Sequence, residues 1–157
     1  MKRRKFLGLG VLAMAALPAT LSAISAIDFR ATKPDAWKAH TVDDAVKAMY
    51  GDIKPINEGV KVNVPAVASN GGSVPVTIKS DIPAKTVLLL QDMDPESAVA
   101  VFNVPEDGII DYSLKIKLKA TDENGGKGTV TAIVEGLDGK FYIGSKGLDV
   151  AKGGCEG

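Results

Sequence analysis

The period of hydrophobic and polar positions changes twice along this chain. Residues 7–17 (LGLGVLAMAAL) form a continuous apolar run closed by Pro18. From Thr41 to Gly51 the apolar positions Val42, Ala45, Val46 and Met49 recur at helical spacing. Thr41 followed by Asp44 resembles a capping box, and Gly51 is a stop signal, so this stretch is predicted as a short helix with Trp37 packing near its apolar stripe. Beyond Gly59 the period becomes two. Val60, Val62 and Val64 alternate with Lys61 and Asn63, and Val74, Val76 and Ile78 follow the Asn70-Gly71-Gly72 turn. Ile110 to Leu118 alternates over nine residues, and Val130, Ala132 and Val134 follow Asn124-Gly125-Gly126. Each pattern predicts a strand with one buried face. Val87–Leu90 and Ala98–Phe102 are continuously apolar, as in strands covered on both sides or at a sheet centre, and Lys140–Ile143 makes a last strand after the Asp138-Gly139 turn.

Some seven short strands with a turn signal at each boundary predict a mainly β chain: an immunoglobulin-like antiparallel β-sandwich with a short N-terminal helix and a flexible C-terminal tail. Pro65, Pro75, Pro83, Pro95 and Pro105 fall near strand ends, where a missing backbone donor does least harm. With one cysteine there is no disulfide pair, so an antibody-type domain is excluded. The expected organisation is residues 1–26 as a cleaved export signal, 27–147 as the helix and sandwich, and 148–157 as a mobile arm.

The N-terminal assignment rests on charge. Residues 1–26 hold four basic side chains, Lys2, Arg3, Arg4 and Lys5, and no acidic ones, followed by the apolar run and then small residues. That is the three-part layout of an export signal, and the run is shorter than the roughly 20 residues of a spanning helix. Arg3-Arg4-Lys5-Phe6-Leu7-Gly8 looks like a twin-arginine signal, with cleavage expected between Ser22 and Ala26. Its removal leaves 15 basic and 19 acidic residues, a net charge of −4, which excludes nucleic acid as an expected partner. The mature protein is expected to be periplasmic, without a membrane segment.

Cys155, the only cysteine, lies in the tail Gly153-Gly154-Cys155-Glu156-Gly157. An unperturbed thiol has a pKa of about 8.5, so a few per cent is thiolate at neutral pH. The glycines remove Cβ atoms that would crowd an approaching catalytic cleft. Seven residue steps separate Leu148 from Cys155, a reach on the order of 20 Å when extended. This is the geometry of a carrier arm; a cysteine hydrolase would need a fixed base and an oxyanion hole beside the thiol. The chain is therefore read as having no catalytic residue of its own. The alternative is an immunoglobulin-like binding or assembly module whose Cys155 forms an intermolecular disulfide.

Other candidates have simpler readings. His40 is the only histidine and lies just before the helix cap, a surface position. Asp92 and Asp94 lack the distal glutamate of a calcium loop and read as turn caps. Residues 122–128 (DENGGKG) lack the strand-to-helix context of a phosphate loop and read as a hairpin loop. Lys115, Lys117 and Lys119 form the wet face of a strand. No metal or organic cofactor is expected.

Taken with Arg3-Arg4, Ala45, Met49 and the stretch Asn70-Gly71-Gly72-Ser73-Val74-Pro75-Val76, the cysteine-glycine tail resembles SoxY, the sulfur-carrier subunit of the bacterial Sox thiosulfate-oxidising system. In that family the tail reads Gly-Gly-Cys-Gly-Gly; Gly153, Gly154, Cys155 and Gly157 match, whereas Glu156 replaces a glycine. A carboxylate beside the sulfur disfavours the thiolate and repels anionic substrates, and its Cβ stiffens the tail, though screening keeps the effect small. The resemblance implies that Cys155 holds sulfur covalently as its only adduct. It implies a SoxZ-like partner subunit, a haem-containing SoxAX protein that couples thiosulfate to the thiolate, a SoxB hydrolase that releases sulfate, and a SoxCD-type dehydrogenase that oxidises the remaining sulfane.

Overall fold

The computed structural model describes residues 26–152; residues 1–25, all but the last of the expected export signal 1–26, and residues 153–157 lie outside the described set. The described chain folds as two packed β-sheets with a helix against the outer face of the larger one. In order, the elements are α1 (Phe29–Thr32), a 3-10 turn (Pro34–Trp37), α2 (Val42–Tyr50), β1 (Val60–Asn63), β2 (Val67–Ala68), β3 (Val74–Ser80), β4 (Ala84–Gln91), β5 (Ala98–Asn103), β6 (Ile110–Ile116), β7 (Lys127–Gly136) and β8 (Phe141–Val150). The smaller sheet has the order β1-β3-β6 and the larger one β2-β8-β7-β4-β5. This is the predicted immunoglobulin-like sandwich. All pairings are antiparallel except β2 with β8, where Val67 and Ala68 run parallel to Asp149 and Val150.

Helix α2 begins and ends where its sequence signals lie. The Thr41 hydroxyl oxygen accepts the Asp44 backbone N–H at 3.1 Å and its hydroxyl donates to the Asp44 carboxylate at 2.8 Å. Gly51, at φ 83°, closes the helix by donating its N–H to the Lys47 carbonyl. Ala45 and Met49 are buried against Leu88, Leu90 and Ile133 of the large sheet, with Trp37 packed beside them. The continuous apolar run of β4 follows from this arrangement. Val87 and Leu89 face the smaller sheet while Leu88 and Leu90 face the helix, and all four are fully buried. β5 is likewise lined on both faces, with Ala98 and Val101 toward the helix and Val99 and Phe102 toward the smaller sheet, although it is an edge strand.

Two expectations need correction, and a third feature, a short strand, was not expected from the sequence. Residues 122–128 do not close a hairpin: β6 pairs with β3 in one sheet and β7 with β4 and β8 in the other, so this loop crosses between sheets. Asn124 organises it, accepting the Thr121 and Gly126 N–H groups on Oδ1 and donating from Nδ2 to the Lys119 carbonyl. The last strand does not stop at Ile143 but continues to Val150, which removes Leu148, Asp149 and Val150 from the proposed arm. Gly144 looks like a strand breaker in the sequence, yet a Cβ there would come within 2.3 Å of the Val60 carbonyl oxygen, so glycine permits β1 to cross closely over an uninterrupted strand. The third is β2, a two-residue strand just after Pro65 that is too short to show alternation.

Candidate functional site

The root of the arm expected from the sequence is the end of the sandwich where β8 finishes, and residues far apart in sequence converge on it. Val150 is buried, and its N–H donates to the Gly126 carbonyl at 2.6 Å. On the other side Asp149 and Ala151 donate to the carbonyls of Ala66 and Ala68, both at 2.9 Å. The last residues of the strand are thus held between the 66–68 segment and the 121–126 loop.

Gly71 closes the arrangement. Its carbonyl accepts the Leu118 N–H at 2.8 Å, and a Cβ on it would come within 2.3 Å of the Leu118 carbonyl oxygen and 2.8 Å of the Val150 side chain. Only a glycine allows this turn to lie against both segments. Asn70 shapes the turn, its Oδ1 accepting the Gly72 N–H at 2.8 Å, and Val74 and Val76 beyond it are buried in the inter-sheet core. The Asn70–Val76 stretch therefore braces the arm root, as does Gly126, at φ 78° with its Cβ position 2.6 Å from the Val150 carbonyl oxygen. Sequence reading singled out the Asn70 turn without a role and missed Gly126 and Leu118 as supports. The signal available was glycine beside a buried alternation.

The remaining sequence candidates sort as follows. Lys115, Lys117 and Lys119 are exposed, Lys117 and Lys119 flanking the buried Leu118 beside the arm root. Asp94 lies near them: burial pushes its carboxyl above the ordinary value, against the pull of the two lysines. Asp92 accepts the Thr129 N–H, capping the start of β7. Gln91, almost fully buried, shapes the intervening loop by accepting the Met93 and Asp94 N–H groups and donating to the Glu96 carbonyl. His40 is exposed and its Nδ1–H donates to the Pro95 carbonyl at 2.7 Å, tying the pre-helix segment to this loop. Among the described residues there is no grouping of three His, Cys, Asp or Glu side chains that could hold a metal, and no helix long and apolar enough to cross a membrane. The residues proposed to carry chemistry or confer mobility, Gly153, Gly154, Cys155, Glu156 and Gly157, lie outside the described residues.

Comparison with known proteins gives one family and one fold. The model of the family described as sulfur oxidation protein SoxY matches residues 46–155. None of the curated proteins matches the chain. Among solved structures, the sulfur carrier protein SoxY from Chlorobium limicola f thiosulfatophilum superposes with a TM-score of 0.61 at 24% identity, covering 71% of this chain and 96% of that one. A superoxide reductase (neelaredoxin) from Ignicoccus hospitalis superposes with a TM-score of 0.51 at 13% identity, covering 60% and 81%. At these identities the structures speak for the sandwich fold, and the family match extends across the sandwich as far as Cys155.

Proposed function

The chain belongs to the SoxY family of sulfur oxidation proteins, and from that premise we propose that it is a periplasmic covalent sulfur carrier whose attachment point is Cys155. The observation that carries this reading is positional: the single cysteine lies five residue steps past Val150, the last residue of a strand pinned on both sides. Five steps span at most about 18 Å, so an arm rooted there reaches well clear of the body while its base stays fixed. The arm proposed here is residues 151–157, shorter than the sequence alone suggested.

The chemistry asked of Cys155 is attachment and release. Its thiolate and thiosulfate join through a new sulfur–sulfur bond, the two electrons passing to a haem protein of SoxAX type. Water then attacks the terminal sulfonate with a SoxB-type hydrolase, giving sulfate, two protons and a persulfide on Cys155. A SoxCD-type dehydrogenase takes six electrons from that sulfane while three waters supply oxygen and six protons leave, and the SoxB-type hydrolase releases the resulting sulfonate as a second sulfate, restoring the Cys155 thiolate. A SoxZ-like subunit is the constant partner, and export through a twin-arginine signal in residues 1–26 carries the folded pair together. Thiosulfate oxidation reconstituted from these components tests the assignment: Cys155→Ser abolishes it, while alkylation of the wild-type thiol does the same. Full activity in Cys155→Ser, or a Cys155 disulfide dimer as the active species on non-reducing gels, would instead support the assembly-module alternative.

A further inference from the structure

The end of the sandwich opposite the arm root is open. A groove of about 1130 Å³ runs between the β3–β4 turn, the start of β4, the β5–β6 loop and the tip of the β7–β8 hairpin. Ile27, Ile82, Ile109 and Leu137 line it, and Ile109 and Leu137 are 80% and 58% exposed. Converging apolar side chains at that exposure are unusual on a surface that faces only water.

The exposure of Ile109 is built into the backbone. Pro105 fixes the loop entry, its carbonyl accepts the Gly108 N–H at 2.9 Å, and Asp107 takes a left-handed conformation at φ 58° that non-glycine residues seldom adopt. A Cβ at Gly108 would meet the Pro105 carbonyl and ring at 2.8–2.9 Å. The turn thus fixes Ile109 on the groove wall with most of its side chain in solvent. The exposed charges on the groove are Asp81, Glu106 and Asp107, with one lysine, Lys85, that pairs with Glu135 at 3.7 Å.

We propose that this groove docks a different protein, one that inserts apolar side chains flanked by lysine or arginine. A second copy of this chain would bring the same acidic rim against itself, a like-charge arrangement that opposes association. A partner seated here would lie at the far end from the arm root and leave the arm clear, which suits a subunit held throughout a reaction cycle. The inference rests on the carrier reading above and gives its constant partner a surface.

The test uses the full chain and, as probe, the SoxZ-like subunit titrated by calorimetry. Wild type and Cys155→Ser should bind equally. Ile109→Asp/Leu137→Asp should bind about 30-fold more weakly or worse, as for central apolar contacts, with an unchanged melting temperature because both sites are exposed. Asp81→Lys/Glu106→Lys should bind about tenfold more weakly, a loss that shrinks with added salt. A photo-crosslinker on Ile109→Cys/Cys155→Ser should capture the probe. Equal binding by all variants would overturn the inference while leaving the chemistry of Cys155 untouched, and so would no binding by wild type. Crosslinks to a second copy or to residues 1–25 would overturn it by naming another occupant.

Discussion

The two ends of the sandwich are built on opposite terms. At the arm end Gly71, Leu118, Gly126 and Val150 meet with no room for a methyl group, and backbone hydrogen bonds join segments from four parts of the chain. At the far end Ile109 and Leu137 stand in solvent around an acidic groove. The difference teaches how one sandwich can be divided: one end is closed, which under the proposed function would give the arm a fixed origin, and the other is open, as the proposed docking requires. The core between the sheets, from Val62 to Val150, connects them as one packed unit.

That contrast should be largest in stability. Leu118→Ala, at 2% exposure, should cost about 2–5 kcal/mol, whereas Ile109→Ser, at 80%, should stay within about 0.5 kcal/mol of wild type. Urea midpoints of the pair decide it; similar losses would erase the distinction between the ends. Gly71→Ala forces its Cβ toward the Leu118 carbonyl, so a cost of about 1–3 kcal/mol is expected, together with faster hydrogen exchange at Val150 and Ala151. Exchange unchanged at those two amides would show that the turn does not brace the arm root.

The middle of the body offers a finer probe. Tyr50 on α2 shares a 2.7 Å hydrogen bond with Thr86, which donates to Glu135 at 2.8 Å, so this network fastens the helix to β4 and β7. Burial raises the Tyr50 phenol above its ordinary value of 10.0, the Glu135 carboxylate adding to the rise and the Thr86 hydrogen bond opposing it. The folded chain therefore keeps the phenol neutral where the unfolded chain ionises it. Its contribution to stability is complete below pH 10 and declines as pH rises beyond. Tyr50→Phe should cost about 1 kcal/mol at neutral pH and flatten that alkaline decline, checked by urea midpoints from about pH 8 to 11. The smallest effect concerns the tail: Glu156→Gly should raise the alkylation rate of Cys155 by about twofold, as expected from removing one screened charge. An unchanged rate across pH 6–9 would make Glu156 incidental.

Period alone revealed α2 and most of the strands, because each of those elements buries one face and exposes the other. It also marked β4, whose unbroken apolar run reflects a helix on one side and a sheet on the other. What period could not reveal was pairing. Asn124-Gly125-Gly126 has the composition of a hairpin turn, but only the destinations of β6 and β7 show that it changes sheets. Gly144 and Gly147 interrupted the pattern of β8, since a glycine needed for close approach, as Gly144 is, looks the same as one that ends a strand. At the end of β8 the supports Gly71, Leu118 and Gly126 are local in space and scattered in sequence, so Cys155 could be proposed as a carrier thiol while the residues that hold the strand end before it could not. The groove was invisible for the same reason: Ile27, Ile82, Ile109 and Leu137 come from separate segments.

The central claim is that one thiol carries the sulfur and the folded body carries none of the chemistry. Intact and peptide-level mass spectrometry of the protein taken from cells oxidising thiosulfate tests it most directly. The account predicts sulfonate and sulfane adducts confined to the peptide containing Cys155, rising and falling with turnover; a protein that remains unmodified while thiosulfate is consumed would contradict it.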